Sequence, residues 1–233
     1  MNILAFDTCF SACSAAIGLD VGLASERIVS RFERMDIGHA ERLPGMIAEV
    51  MAQAGVSFSN LDRIGVTIGP GTFTGTRVGV AAARGFALAC LKPVFGVTSL
   101  AVMARQAALS LTAGTTNEIC VAVDVRRDEV YVQWFDPAGL LATSEPEVLT
   151  VPAAALIGQS KTAVYIGSGA EKILNAGLWK TARPLAFGPD LLPDARYAVL
   201  LVSRCATYTS FVSPLYLRAP DAKPSASTLV LRR

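Results

Sequence analysis

A chain of 233 residues is long enough for one large domain or two small ones. With 52% apolar and only 17% charged residues it can fill its cores and leave apolar surface for a partner. A net charge of +2 with no basic stripe argues against a protein that grips nucleic acid alone; the one mildly basic stretch is the tail, with Arg218, Lys223, Arg232 and Arg233. The most apolar run, at 78–91, is interrupted by Arg84 and followed by Lys92-Pro93. It falls short of the roughly 20 residues a spanning helix needs, so no membrane segment is expected. The start, MNILAFDT, lacks the basic lead of a secretory signal, so a cytoplasmic location is expected. Cys9, Cys13, Cys90, Cys120 and Cys205 form no CxxC pair and are expected to be reduced, small hydrophobes.

In chain order, the apolar run at 3–7 ends in Asp-Thr and reads as a buried strand. Residues 13–19 and 23–31 read as two more strands around an Asp20-Val21-Gly22 turn. The period then changes: Leu43, Met46, Ile47, Val50, Met51 and Ala54 recur at helical spacing, and Gly55 supplies a stop. This predicts a helix over 39–54. A strand at 64–68, a glycine-rich loop at 69–76, a helix at 77–91, a strand at 94–97 and a helix at 99–108 follow. The β-α-β-α-β order implies parallel pairing with right-handed crossovers. The polar stretch 112–117 marks the boundary between an N-terminal lobe (1–110) and a C-terminal lobe (111–218). The second lobe opens with strands at 119–125 and 129–135, has a strand at 164–166 with a short helix after it, and carries a helix at 194–206 that can pack back on the first lobe. The tail, 219–233, rich in Pro, Ser and Ala, is expected to be disordered. Both lobes open with hairpins before alternating strands and helices, which hints at a duplicated unit.

Three features could carry chemistry. The loop Gly69-Pro-Gly-Thr-Phe-Thr-Gly75-Thr-Arg77 sits where backbone N–H groups can meet a phosphate. No Lys-Ser or Lys-Thr follows Gly75, and the strand at 94–97 has no acid for a ribose, so neither common nucleotide motif is present. The plainer reading is a tight turn into a closely packed helix, whose stripe Gly75, Gly79, Ala83 and Ala87 admits a neighbouring backbone of the same chain. His39 is the sole histidine and cannot build a multi-histidine metal site, so no metal and no catalytic residue is assigned. Asp7-Thr8 with Gly167-Ser168-Gly169 would be the two grips of a nucleotide cleft between the lobes. The matching hairpin, Asp124-Val-Arg-Arg-Asp128, carries two arginines where glycines would be needed, so the cleft reads as a degraded site without a cofactor.

The stretches ILAFDTCFSACSAAI, HAERL, IGPGTFTGTRVGVAAARGFALA, VFGVTSLAVMA, VAVDVRRDEVYV and PLYLR, in order from Met1 to about Arg218, closely resemble the bacterial TsaB family, also called YeaZ. The resemblance implies an α/β, two-lobed actin/sugar-kinase-like (ribonuclease H-like) fold with mixed sheets flanked by helices. It implies a non-catalytic subunit of the complex that forms N6-threonylcarbamoyladenosine at position 37 of tRNAs reading ANN codons. The implied partners are a TsaD-type transferase, a TsaE-type ATPase, tRNA indirectly through the complex, and a second copy of the chain when it is alone. Carried onto this chain, the pairing surface is the helix at 39–54 with the helix at 73–91, expected to offer His39, Glu41, Arg42, Leu43, Met46, Ile47, Val50, Phe73, Arg77, Val78 and Ala81. Two departures stand out: Ala40 where the family often has Ser, and Gly167-Ser168-Gly169 where it often has GDG. The second removes an acid from the cleft. The alternative is an ATP-dependent kinase or hydrolase of the same superfamily using that cleft.

Overall fold

The computed structural model describes residues 1–111, 117–125, 127–179, 184–206 and 211–218. The first three strands, β1 (Ile3–Asp7), β2 (Ala12–Leu19) and β3 (Arg27–Arg34), form an antiparallel meander in which Asp7 lies opposite Ser14. The third strand begins four residues later than its apolar content suggests. Leu23, 61% exposed, sits in a turn pinned by the Val21 N–H on Met1 O, and pairing starts only at Arg27. Helix α1 (His39–Ala54) leads to β4 (Arg63–Thr67), α2 (Phe73–Cys90), β5 (Val94–Val97) and α3 (Ser99–Ser110). β4 and β5 pair in parallel, giving the order β3-β2-β1-β4-β5.

The second unit runs β6 (Glu118–Val125), β7 (Glu129–Phe135), β8 (Glu147–Thr150), α4 (Val151–Gly158), β9 (Ala163–Ile166), α5 (Ala170–Ala176), β10 (Ala186–Phe187) and α6 (Ala195–Arg204). Its sheet order, β8-β7-β6-β9-β10, repeats the first strand for strand, with the same two antiparallel and two parallel pairings. The duplicated plan expected from the two hairpins is therefore present in full. The polar stretch chosen as the lobe boundary and the 219–233 tail lie, apart from Leu111 and Asn117 at the edges of that stretch, outside the described residues.

Side-chain alternation divides each sheet into two faces. In the first sheet Leu4 and Phe6 face one way, into a cluster with Ile17, Leu43, Met46, Ile47, Val50, Val80 and Ala83, so α1 and α2 cover that face. Ile3 and Ala5 face the other way, against Ala195, Ala198, Val199 and Val202 of α6. α6, the last helix among the described residues, thus closes the first sheet, as the helix expected at 194–206 could. Reciprocally, Leu100, Met103, Ala104 and Ala107 of α3 pack on Ile119, Val121 and Phe135 of the second sheet. α3 and α6 together form the layer between the sheets, and this crossing of third helices joins the two units.

One expectation fails at this level. Leu43, Met46, Ile47 and Val50, assigned to a partner surface, are at most 1% exposed and lie in the chain's own core. A sheet face needs an apolar cover, and α1 is the element the connection from β3 delivers to it. Burying each such side chain contributes about 1.5–3 kcal/mol to folding rather than to association.

Candidate functional site

The seam between the lobes is built around the end of β1. The Asp7 carboxylate is fully buried. Its Oδ1 accepts from the Thr67 hydroxyl at the end of β4 and from the Cys9 N–H at 3.3 Å, while Oδ2 has no partner among the described residues. Burial pushes the Asp7 pKa up to about 7; the hydrogen bonds from Thr67 and Cys9 oppose this, and the nearby Asp194 charge adds slightly to it. The Cys9 thiol donates to Thr67 Oγ1 at 3.3 Å and is itself pushed well up by burial and by Asp7. The result is a buried polar knot, not an exposed acid.

The turn after Asp7 is equally engaged. Cys9 O accepts from the Thr72 N–H at 2.7 Å, Ser11 O from the Met35 N–H at 3.1 Å, and Phe10 O from Nε2 of His39 at 2.9 Å. The Thr8 hydroxyl donates to Gly75 O at 2.7 Å. The lone histidine is thus a fastener between the start of α1 and the β1–β2 turn, with Nε2 as its protonated nitrogen. The glycine-rich loop is a packing device. A Cβ at Gly75 would overlap the Thr8 carbonyl, one at Gly71 would overlap Cys9 O, and one at Gly79 would lie 2.7 Å from Thr8 Oγ1. The loop also ends sooner than its composition suggests: the Thr72 side chain accepts from the Gly75 N–H at 3.1 Å and α2 starts at Phe73.

Across the seam, Ser168 Oγ accepts from the Asp124 N–H at 3.0 Å, and the Asp124 carboxylate pairs with Lys172 at 2.8 Å. A Cβ at Gly169 would lie 2.8 Å from Val130. Gly167 takes φ +91°, and Gly169 donates to Ala122 O at 2.9 Å. The glycines of this turn serve its own fit against β6 and β7. Among the described residues no hydrogen bond joins Asp7 or Thr8 to Gly167, Ser168 or Gly169; apart from Asp7 Oδ2, the hydrogen bonds of each half of the proposed cleft stay within its own lobe. Among the described residues no group of three or more His, Cys, Asp or Glu is placed to hold a metal ion, and no helix is long and apolar enough to cross a membrane.

The helix pair offers a different surface from the one the apolar stripe suggested. Arg42 is a clamp: its Nε reaches Glu33 Oε2 at 2.7 Å and Nη1 reaches Glu49 Oε1 at 2.8 Å, tying α1 to β3 and holding the Glu33 carboxyl below the usual carboxylate range. Val78 is half-buried. Glu41, Phe73, Arg77 and Ala81 are exposed. Opposite the buried stripe, α1 exposes Ala40, Pro44, Ala48 and Ala52, and α2 exposes Arg77, Ala81, Gly85 and Ala89, each at intervals of four. Two adjacent helices therefore present small residues along their outer faces. Sequence reasoning followed the greasy stripe and took only Arg77 and Ala81 from this one, although its spacing was visible.

The family profile described as "TsaD: tRNA N6-adenosine threonylcarbamoyltransferase" matches residues 33–175. The "tRNA threonylcarbamoyladenosine biosynthesis protein TsaB" of Escherichia coli is 32% identical over 154 residues, spanning 65% of this chain and 63% of that protein's own length. An uncharacterized protein of Mycobacterium tuberculosis is 31% identical over 229 residues, covering 97% of this chain and 95% of that one. A Pseudomonas aeruginosa crystal structure described as an uncharacterized protein with similarity to peptidase YEAZ superposes with a TM-score of 0.78 at 28% identity, over 93% of this chain and 99% of that one.

Proposed function

The chain belongs to the TsaB (YeaZ) family, and from that premise we propose that it is the non-catalytic subunit of the complex forming N6-threonylcarbamoyladenosine at position 37 of tRNAs reading ANN codons. Its role is to pair with a TsaD-type transferase in the cytoplasm; a TsaE-type ATPase joins the pair, tRNA is met through the complex, and a second copy of the chain takes the same face when the partner is missing. The observation that carries the reading is the contrast between the two surfaces. The seam's polar groups, Asp7 Oδ2 apart, are taken up by hydrogen bonds within the protein, while α1 and α2 display two small-residue faces that are exposed among the described residues.

Small residues let helix axes approach closely and bring many backbone and side-chain atoms into dispersion contact. Two such helices from each partner form a four-helix packing. The contributing residues are Ala48, Ala81 and Gly85 with flanking Glu41 and Arg77; the buried Leu43, Met46, Ile47 and Val50 act only by holding α1 in place. The test is depletion of the protein in its host followed by mass spectrometry of bulk tRNA. Threonylcarbamoyladenosine is expected to fall several-fold. An unchanged level with the protein verified absent removes the assignment.

A further inference from the structure

Beyond the two helices, the segment 211–218 crosses the same side of the molecule and ends on the second lobe. Val212 is buried in the first core, and its carbonyl accepts from Nε of Arg84 at 2.8 Å. The Leu215 N–H donates to Ile68 O at 2.7 Å. Leu217 packs on the cluster around α3 and the second sheet, and Arg218 Nε lies 3.6 Å from Glu129 Oε2 on β7. Between these anchors Tyr216 is held outward, 48% exposed, with its ring 5.4 Å from the 49% exposed ring of Phe73. Arg77 places its guanidinium 4.9 Å from the Phe73 ring centroid.

Two properties make this cluster unlike the chain's scattered exposed hydrophobics. Its aromatic rings come from separate parts of the chain and touch each other. Its cation is uncompensated: Arg77 has no acidic partner among the described residues, and it stands in the second turn of a helix whose start is already electropositive and lacks an acid in its first turn. An exposed cation without an acidic partner gains a charge-assisted contact when a negative group arrives. Tyr and Arg are the residue types that most often dominate binding energy.

We propose that Tyr216, with Phe73 and Arg77, is an anchor at the end of the pairing face and takes an acidic segment of the partner transferase, so that the strap carrying Tyr216 is part of the interface and not only a tether between lobes. This rests on the pairing function proposed above. A protein occupant is favoured over RNA because Arg77 is a single cation on a chain of net charge +2, too little for backbone grip, and because Arg77 is continuous with Ala81 and Gly85 along the same helix face.

The experiment is calorimetric titration of the full chain with the TsaD-type transferase of the same organism. Tyr216→Ala and Arg77→Glu are each expected to weaken the dissociation constant at least tenfold, Tyr216→Phe to stay within about threefold, and Arg77→Gln to flatten its dependence on salt. Arg77 is exposed and Glu favours a helix start, so Arg77→Glu separates loss of binding from loss of folding. Ala81→Arg serves as the control for the helix face. If Ala81→Arg abolishes pairing while Tyr216→Ala and Arg77→Glu bind as the parent does, the strap is not in the interface and this inference fails alone. If all three bind as the parent does, the pairing face itself is wrong. If Tyr216→Ala pairs normally but loses affinity for tRNA in fluorescence anisotropy, the platform takes nucleic acid and the protein assignment is overturned.

Discussion

Shortening Met46 to alanine distinguishes folding from pairing on α1. Met46 is fully buried between α1 and the first sheet. Met46→Ala removes three heavy atoms from that contact, and substitutions of this kind cost about 2–5 kcal/mol, depending on how far the site collapses. Against a total of about 5–15 kcal/mol for a typical domain, about 3 kcal/mol is a large share. At roughly 2–4 °C per kcal/mol for a chain of this size, the melting temperature should fall by about 6–12 °C. Ala48, two positions further along and exposed, should behave in the opposite way. Ala48→Arg is expected to change stability by no more than about 0.5 kcal/mol and to lower affinity for the transferase at least tenfold. The assay is thermal unfolding of each purified variant beside titration with the partner. A Met46→Ala protein that melts within about 1 °C of the parent yet fails to pair would return the apolar stripe to the interface and refute the assignment of faces. By the same logic a charge at Val50 should unfold the first lobe, not merely uncouple it.

The remaining predictions concern the seam. Asp7 has its pKa raised from 3.8 to about 7 in the folded chain, so between those values the native state holds a proton the unfolded state has released, and stability falls as pH rises through this window. At about 1.4 kcal/mol per pH unit the fall is on the order of 4 kcal/mol; Asp7→Asn should flatten it in melting curves taken from pH 4 to 8, and an unchanged slope would show that another group is responsible. Gly75→Ala should cost about 3 kcal/mol or more, because the new methyl overlaps the Thr8 carbonyl and neither backbone can retreat; a soluble variant with the parent's urea midpoint would contradict the packing role of the loop. His39→Ala should cost about 1 kcal/mol through its lost hydrogen bond to Phe10 O and leave transferase affinity within about threefold, a result checked in the same two assays. Magnesium-ATP should show no calorimetric binding tighter than about 10 µM, equivalent to about 7 kcal/mol; tighter binding abolished by Asp7→Ala would favour a kinase or hydrolase instead.

Much of the architecture was legible because it follows from local periodicity. The bounds of α1 match the expected 39–54, read from the apolar period and the Gly55 stop; in the structure Gly38 and Gly55 flank the helix and both take positive φ. What was missed has local reasons. β8 is a four-residue edge strand with no fully buried position, and β10 is two residues long, so neither leaves an alternation to read. α4 is apolar nearly all round and opens with Val151-Pro152; without a polar face the helical period vanishes, and a proline that suits a first turn reads as a breaker.

The sequence by itself determined most of the strands and helices, hinted that two similar units follow one another, and left a single histidine where a metal cluster would need several. An apolar stripe states that a helix must be covered; it carries no record of what covers it, because burial energy depends on area removed from water and not on whose atoms remove it. Only the tertiary structure decided that the first sheet covers the stripe of α1, which face of that sheet α6 closes, and that Tyr216 and Phe73, more than 140 residues apart, share one surface. Those are contacts between distant residues, fixed by how the two sheets exchange their third helices.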